Sequence, residues 1–173
     1  MLDVIVGLGA NLGNSPTVFA AALNRLGRES ELVGVSHLWK TRPVGPEQPD
    51  FTNAAILLRW RGDPHGLLRR CREIEASAGR NRSAEDRWGP RILDLDLLIV
   101  RDLVWRSPEL ELPHPRFHER AFALAPAAEV APDWLHPTTG QTLAELADEV
   151  QAADPGALIS SAPFPTELPS TVS

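Results

Sequence analysis

A single cysteine, Cys71, stands in the whole chain. No internal disulfide framework can therefore staple the protein, and a core of its own has to hold it. No apolar run approaches the roughly 18 residues of a membrane span, and no charged-then-apolar leader opens the sequence, so the expectation is a soluble, cytoplasmic protein with no membrane partner. Lysine is almost missing: Lys40 is the only one among 17 basic residues. Composition bias accounts for that as well as selection for forked phosphate donors does, and it carries no functional weight. Positive charge is not in excess either, because the formal net charge is -6. Wholesale coating of a nucleic acid is thereby disfavoured, though a local basic patch remains open. No internal repeat is present.

What remains is a chain of 173 residues, long enough for one domain that buries about 70% of its unfolded surface. The run "LDVIVGLGA" reads as a strand, and "TVFAAALNRLG", with Asn14-Ser15-Pro16 before it and Gly27 behind, reads as a helix. "ELVGVSHLWKT" and "FTNAAILLRW" read as strands joined by the proline-rich "RPVGPEQPD", a connection long enough to suggest a working loop. Asp63-Pro64 opens a second helix with Leu67, Leu68, Cys71 and Ile74 on one face, where Cys71 is packing rather than chemistry. The strand "RILDLDLLIV" follows, then a turn at Arg101-Asp102, short strands in "LVW" and "LELPHP", and helices through "ERAFALAPAAEV" and "QTLAELADEVQ". From Asp154 onward Pro and Ser dominate, which predicts a domain over 1–153 and a tail over 154–173. Strand, helix, two strands, helix, strand is the order of an α+β, ferredoxin-like core with a mainly antiparallel sheet, helices packed on one face, and added C-terminal elements.

The stretch "LDLDL" carries the chemistry. With a period of two, Leu93, Leu95 and Leu97 share one face while Asp94 and Asp96 share the other, about 6.6 Å apart along the backbone. A half-exposed strand with acids on its wet side, paired to Arg87 or Arg91, is one reading. The other is that two carboxylates losing hydration together are relieved by a divalent cation, and oxygen-only ligands favour Mg²⁺. Beside them, Arg80, Arg82, Arg87 and Arg91 face only Glu85 and Asp86, a local net of +2 inside an acidic protein. Guanidiniums grip polyphosphate oxygens in pairs, whereas surface ion pairs are the plain reading for Arg69, Arg70 and Arg72. Trp88, before Gly89-Pro90, suits a lid. "GLGANLGN" is neither a dinucleotide fingerprint, since Leu12 stands where the third glycine belongs, nor a P-loop; it reads as a glycine-rich strand-to-helix turn in which Asn11 and Asn14 offer amides. Phe51, Asn53, Phe122 and His114 are each open to a packing role or a binding role.

Taken in order, "GLGANLGN", "TRPVGPEQPDFTNA", "RWGPRILDLDLL" and "LPHPRFHERAFALAP" resemble the 6-hydroxymethyl-7,8-dihydropterin pyrophosphokinases of folate synthesis, from about Leu2 to Val150. The resemblance implies a ferredoxin-like core and transfer of the terminal diphosphate of ATP to the pterin's hydroxymethyl oxygen with release of AMP. It implies two Mg²⁺ ions on Asp94 and Asp96, with Arg80, Arg82 and Arg91 meeting the triphosphate. Of these, Asp94, Asp96, Arg80 and Arg91 are the expected catalytic residues. His114 and Arg120 would touch ATP, Glu75 would order the nucleotide site, and Trp88 would close over it. Phe51 and Phe122 would sandwich the pterin, with Thr41, Asn53 and the backbone at Val44 reading its edge and Asn11 orienting the neighbouring loop. The partners implied are these two small molecules, with no nucleic acid and a monomeric protein. The sequence departs from many relatives at Phe51, where they carry tyrosine, at Ser83, at Pro115, and by one extra residue between Arg82 and Trp88.

Two other classes fit parts of the pattern. A metal-dependent nucleotidyl or glycosyl transferase would use the same Asp-x-Asp pair. An RNA-binding module on the same fold would use the arginine loop and exposed aromatics, but it has no use for paired acids facing its anionic ligand.

Overall fold

The computed structural model describes residues 1–84 and 88–165. Glu85, Asp86 and Arg87 of the arginine loop, and 166–173 of the expected tail, lie outside the described residues. Along the chain run β1 (Leu2–Ala10), α1 (Ser15–Leu26), β2 (Ser30–Val35), β3 (Leu38–Thr41), β4 (Phe51–Trp60), α2 (Pro64–Ser77), β5 (Asp94–Val100), β6 (Trp105–Arg106), β7 (Glu111–Leu112), a 3-10 turn (Phe117–Glu119), α3 (Ala121–Val130), α4 (Leu143–Ala153) and β8 (Leu158–Ala162). The helices start where the cap chemistry puts them. Asn14 and Asp63 accept from Thr17 and Gly66 backbone N–H groups ahead of a first-turn proline, and Thr142 with Glu145 closes a reciprocal capping box on α4.

The main sheet runs β5-β1-β4-β3-β8, with β2 also paired to β4, and every pairing is antiparallel. β2 and β3 are the two halves of the single expected strand. The break falls at Ser36, whose Oγ accepts the Ala55 N–H in place of a ladder partner. Counting them as one bent strand gives the ferredoxin-like order of fourth, first, third, second. Two cores result. Val4, Val6 and Leu8 of β1 with Leu95 and Leu97 of β5 pack against Phe19 and Leu23 of α1 and Leu67, Cys71 and Ile74 of α2. On the opposite face Ile5, Leu98 and Ile99 meet Phe117, Leu124, Ala127, Leu143 and Leu146, so the added helices α3 and α4 cover the face that the split unit leaves bare.

The strand read over "LDVIVGLGA" is β1 itself, through Ala10, so the glycine-rich turn read over "GLGANLGN" begins only after its first two glycines, and Gly7 and Gly9 face Asp96 and Asp94 across the ladder. The tail from 154 is not structureless throughout, because Leu158–Ala162 form β8 on the outer edge of β3. Its serine-rich, mostly exposed composition hides the strand, whose pairing partner lies far away in sequence.

A bulge sets the registry of the acidic strand. Ile5 pairs with Ile99 and Val6 with Leu97, leaving Leu98 unpaired, so Leu98 and Ile99 both turn to the α3 side while Val100 returns to the α1 side. Leu98 lies over Gly7, where a Cβ would come within 3.1 Å of its Cδ1. Gly7→Val is therefore expected to lower the unfolding free energy by about 1–3 kcal/mol by overpacking, read by urea denaturation. Leu98→Ala in the same background should return part of the loss; a variant as stable as the wild type would show that Leu98 does not need this space.

Candidate active site

The N-terminal half of β5 delivers Asp94 and Asp96 to the face away from α1 and α2, beside a cavity of about 580 Å³. Glycines supply its floor: a Cβ on Gly9 would stand 3.0 Å from Asn53 Oδ1 and 3.9 Å from Asp94 Cβ. Only hydrogen at that position lets the amide and the carboxylate share one wall. Of the expected residues, Asp94, Asp96, Arg80, Arg82, Arg91, Trp88, His114, Arg120, Thr41, Val44, Phe51, Asn53 and Phe122 all line this cavity. Glu75 and Asn11 do not; both act from behind the wall.

Glu75 is 1% exposed at the end of α2 and accepts on both oxygens. Oε1 takes the Leu95 N–H at 2.8 Å and lies 3.1 Å from Arg80 Nη1, while Oε2 takes Arg82 Nε at 3.0 Å and Nη2 at 2.6 Å. Burial pushes the Glu75 carboxyl up, against the pull of the Leu95 N–H and the two guanidiniums. Arg80 is buried too, and its Nη1 also donates to Leu93 O at 3.2 Å and to Asp94 Oδ1 at 2.7 Å. Expected at the phosphates, Arg80 and Arg82 are here gathered by one carboxylate, which fixes where their charge sits.

Asp96 differs from its neighbour. No hydrogen bond reaches its carboxylate among the described residues, and burial, with Asp94 and Glu75 close by, pushes its pKa up to about 8. A half-buried acid with free lone pairs next to a second acid suits a hard divalent cation. Among the described residues no group of three or more His, Cys, Asp or Glu is placed to hold a metal ion. A cation held here would thus take two protein carboxylates and fill its shell from water and ligand oxygens, as Mg²⁺ does in phosphate sites. Across the cavity His114 accepts the Arg116 N–H on Nδ1 at 3.2 Å, leaving Nε2 to carry the ring proton. Burial, then Arg120 and Arg116, lower its pKa, so the ring is neutral near pH 7.

Three loops meet over the opening. Asn11 clasps the arginine loop: its Oδ1 accepts the Arg91 N–H at 2.8 Å, and Arg91 O accepts the Asn11 and Leu12 N–H groups at 3.0 and 3.1 Å. Asn11 Nδ2 donates to Gln48 Oε1 at 2.9 Å and to Pro49 O at 3.0 Å, and Gln48 Nε2 donates to Trp88 O at 2.7 Å. The Trp88 ring, 38% exposed, has the guanidiniums of Arg116 and Arg120 at 5.7 and 5.9 Å, and Arg120 also lies 5.5 Å from the Phe122 ring. At the far end Asn53 Nδ2 donates to Thr41 Oγ1 at 2.6 Å, a buried polar pair between β4 and β3. Sequence reasoning missed Arg42 and Arg116, which also line the cavity, and Gln48. Arg116 lay within the quoted "HPRF" motif and Gln48 within a loop already marked as working, but nothing local singled out Arg42.

Fold and cavity together define a class: an α+β, ferredoxin-like protein whose paired carboxylates face a cluster of guanidiniums, the charge arrangement of metal-assisted phosphoryl transfer. The family model for 7,8-dihydro-6-hydroxymethylpterin-pyrophosphokinase (HPPK) matches residues 5–132. A 2-amino-4-hydroxy-6-hydroxymethyldihydropteridine pyrophosphokinase of Synechocystis is 38% identical over 148 residues, 84% of this chain and 75% of its own. That of Pseudomonas aeruginosa is 41% identical over 146 residues, 83% of this chain and 88% of its own. Among solved structures, a Plasmodium falciparum HPPK-DHPS superposes with a TM-score of 0.69 at 13% identity, over 88% of this chain and 44% of that one. The chain thus spans under half of that solved chain, and the likeness speaks for the fold alone. The chain belongs to the 7,8-dihydro-6-hydroxymethylpterin-pyrophosphokinase family.

The raised Asp96 pKa has a sign for stability. Folded protein binds more protons than unfolded protein between the ordinary value of 3.8 and about 8, so stability in metal-free buffer falls as pH rises through that window. Thermal melts from pH 5 to pH 8 should show a smaller fall for Asp96→Asn than for the wild type; equal slopes would refute the half-buried, unpaired carboxylate.

Proposed function

We propose that the protein transfers the terminal diphosphate of ATP to the hydroxymethyl oxygen of 6-hydroxymethyl-7,8-dihydropterin, releasing AMP, as a step of folate synthesis. The observation that carries the reading is Asp96, a half-buried carboxylate that no hydrogen-bond donor reaches among the described residues, standing beside Asp94 on the wall that also holds six arginines, Arg42, Arg80, Arg82, Arg91, Arg116 and Arg120. Family membership supplies the reaction class, and the cavity has the groups that reaction needs.

Asp94 and Asp96 would hold Mg²⁺, two ions in this reading, which when bound neutralise phosphate charge and acidify the acceptor hydroxyl. The remaining work belongs to side chains. Arg82, Arg91, Arg116 and Arg120 surround the phosphate side, His114 offers Nε2–H as a neutral donor, and Glu75 preorganises Arg80 and Arg82 so that little reorganisation is needed when charge develops. Phe51 and Phe122 offer two flat faces to the fused heterocycle, and Asn53, Thr41 and the Val44 backbone read its polar rim. Phe51 lacks the hydroxyl that many relatives carry but keeps the stacking face. Trp88, tied through Gln48 to the neighbouring loop, closes over the phosphates and excludes water, the competing acceptor. No nucleophilic side chain is required, because in-line positioning and charge neutralisation suffice. The protein acts in the cytoplasm as a monomer on small molecules; no helix of the described residues is long and apolar enough to cross a membrane.

The deciding assay is AMP formation from ATP and Mg²⁺ with and without the reduced pterin. AMP should appear only with the pterin, together with a diphosphorylated product. AMP retained on the acceptor would favour a nucleotidyl transferase instead. Asp94→Ala and Asp96→Ala should each abolish turnover while circular dichroism stays native, and full activity in either would refute the assignment. Phe122→Ala should weaken pterin binding by about tenfold or more, as loss of a buried aromatic contact can, with ATP binding less affected in separate titrations. Equal losses for the two ligands would count against the sandwich.

A further inference from the structure

The segment after the last residue of the family match, Pro132, includes a part that reaches back to the cavity. Arg42, on the cavity wall between Thr41 and Val44, is gripped from that segment on three sides. Its Nη2 donates to both oxygens of Asp154, at 3.0 and 2.8 Å. Its backbone N–H donates to Ala157 O at 3.0 Å. Gly156 passes so close that a Cβ there would stand 2.9 Å from Arg42 Nη1. From that clasp the chain enters β8, whose Leu158 pairs with Thr41 and whose Ser160, Ser161 and Ala162 pair with Lys40, Trp39 and Leu38. Phe164 then packs on the α1 and α2 core.

The consequence concerns β3. It is four residues long and is paired to β4 on its inner side through Trp39, Lys40 and Thr41. Without β8 its outer side would be a bare edge, and a short edge strand frays. Thr41 ends β3, is buried, and receives the Asn53 amide, so any slip of β3 moves the pair that stands at the end of the cavity beside Phe51. Arg42 begins the loop that carries Val44, Gly45 and Gln48, so its anchor is also the anchor of that loop.

We propose that Asp154 and β8 are positioning elements for the pterin end of the cavity, acting through Arg42 and Thr41. This rests on the reading of Phe51, Asn53 and Thr41 as the pterin end. Asp154 touches neither substrate; it sets where the guanidinium and the start of the loop stand. On the phosphate side Arg80 and Arg82 have their own organiser in Glu75, on a different element, and do not depend on Asp154 for their placement.

Steady-state kinetics on the full chain with ATP, Mg²⁺ and hydroxymethyl dihydropterin tests this. Asp154→Ala should raise KM for the pterin about fivefold, within reach of one exposed ion pair, while KM for ATP and kcat stay within about twofold. Asp154→Glu, which keeps the carboxylate, should recover most of the loss. Gly156→Val presses on Arg42 Nη1 beside the Asp154 carboxylate, 3.9 Å from its Oδ1, and should give the same split. An unchanged pterin KM in both Asp154→Ala and Gly156→Val overturns the proposal, and so does a loss that falls on both substrates in step with a lowered Tm. A wild-type protein that makes no AMP with the pterin overturns the functional reading as well, an outcome distinct from either of these.

Discussion

Three carboxylates stand close together at the start of β5, and the charge they bring into low dielectric governs everything around them. Glu75 is neutralised from behind by Arg80, Arg82 and a strand N–H; Asp94 shares Arg80; Asp96 has no donor among the described residues. The network is graded from satisfied to unsatisfied toward the cavity. Breaking its buried end would leave uncompensated charges at about 3–5 kcal/mol each. At its open end the missing compensation is what a bound cation would supply.

This gradient requires a rigid backbone beneath it. β1 provides it with Gly7 and Gly9, which lie opposite the two aspartates and leave room for Leu98 and Asn53 respectively. The bulge at Leu98 divides the strand between two tasks: an alternating acidic half for the cavity and an apolar half that feeds both cores. Because α3 and α4 cover only the far part of that second face, the near part stays open as a cavity. The loops over it are not independent flaps. Asn11, Gln48 and the Trp88 carbonyl form one hydrogen-bonded chain, and at Gly45, with φ of 101°, a Cβ would lie 3.0 Å from the Trp88 Cβ.

Much of this was written in local pattern. The period of two in "LDLDL" put both acids on one face, the caps and prolines placed α1 and α2, and the arginine-rich loop announced an anion. These rest on side-chain alternation and on hydrogen bonds between residues three or four apart, which a sequence displays directly. The glycines of "GLGAN" were legible both as the end of a strand and as a turn, because a glycine run looks the same whether it permits a turn or a close approach within a strand.

What the sequence by itself determined, then, is the identity of the charged and aromatic groups, the faces on which the elements present them, and the order of the split βαβ unit. Tertiary structure alone decided which of those groups are spent on one another. Arg80 and Arg82 on Glu75, Gln48 between two loops, the bulge at Leu98 and the return of the chain to Arg42 through Asp154 and β8 all depend on partners brought together from 5 to 112 residues away. Such pairings follow from how surfaces close on each other, and no periodicity along the chain records them.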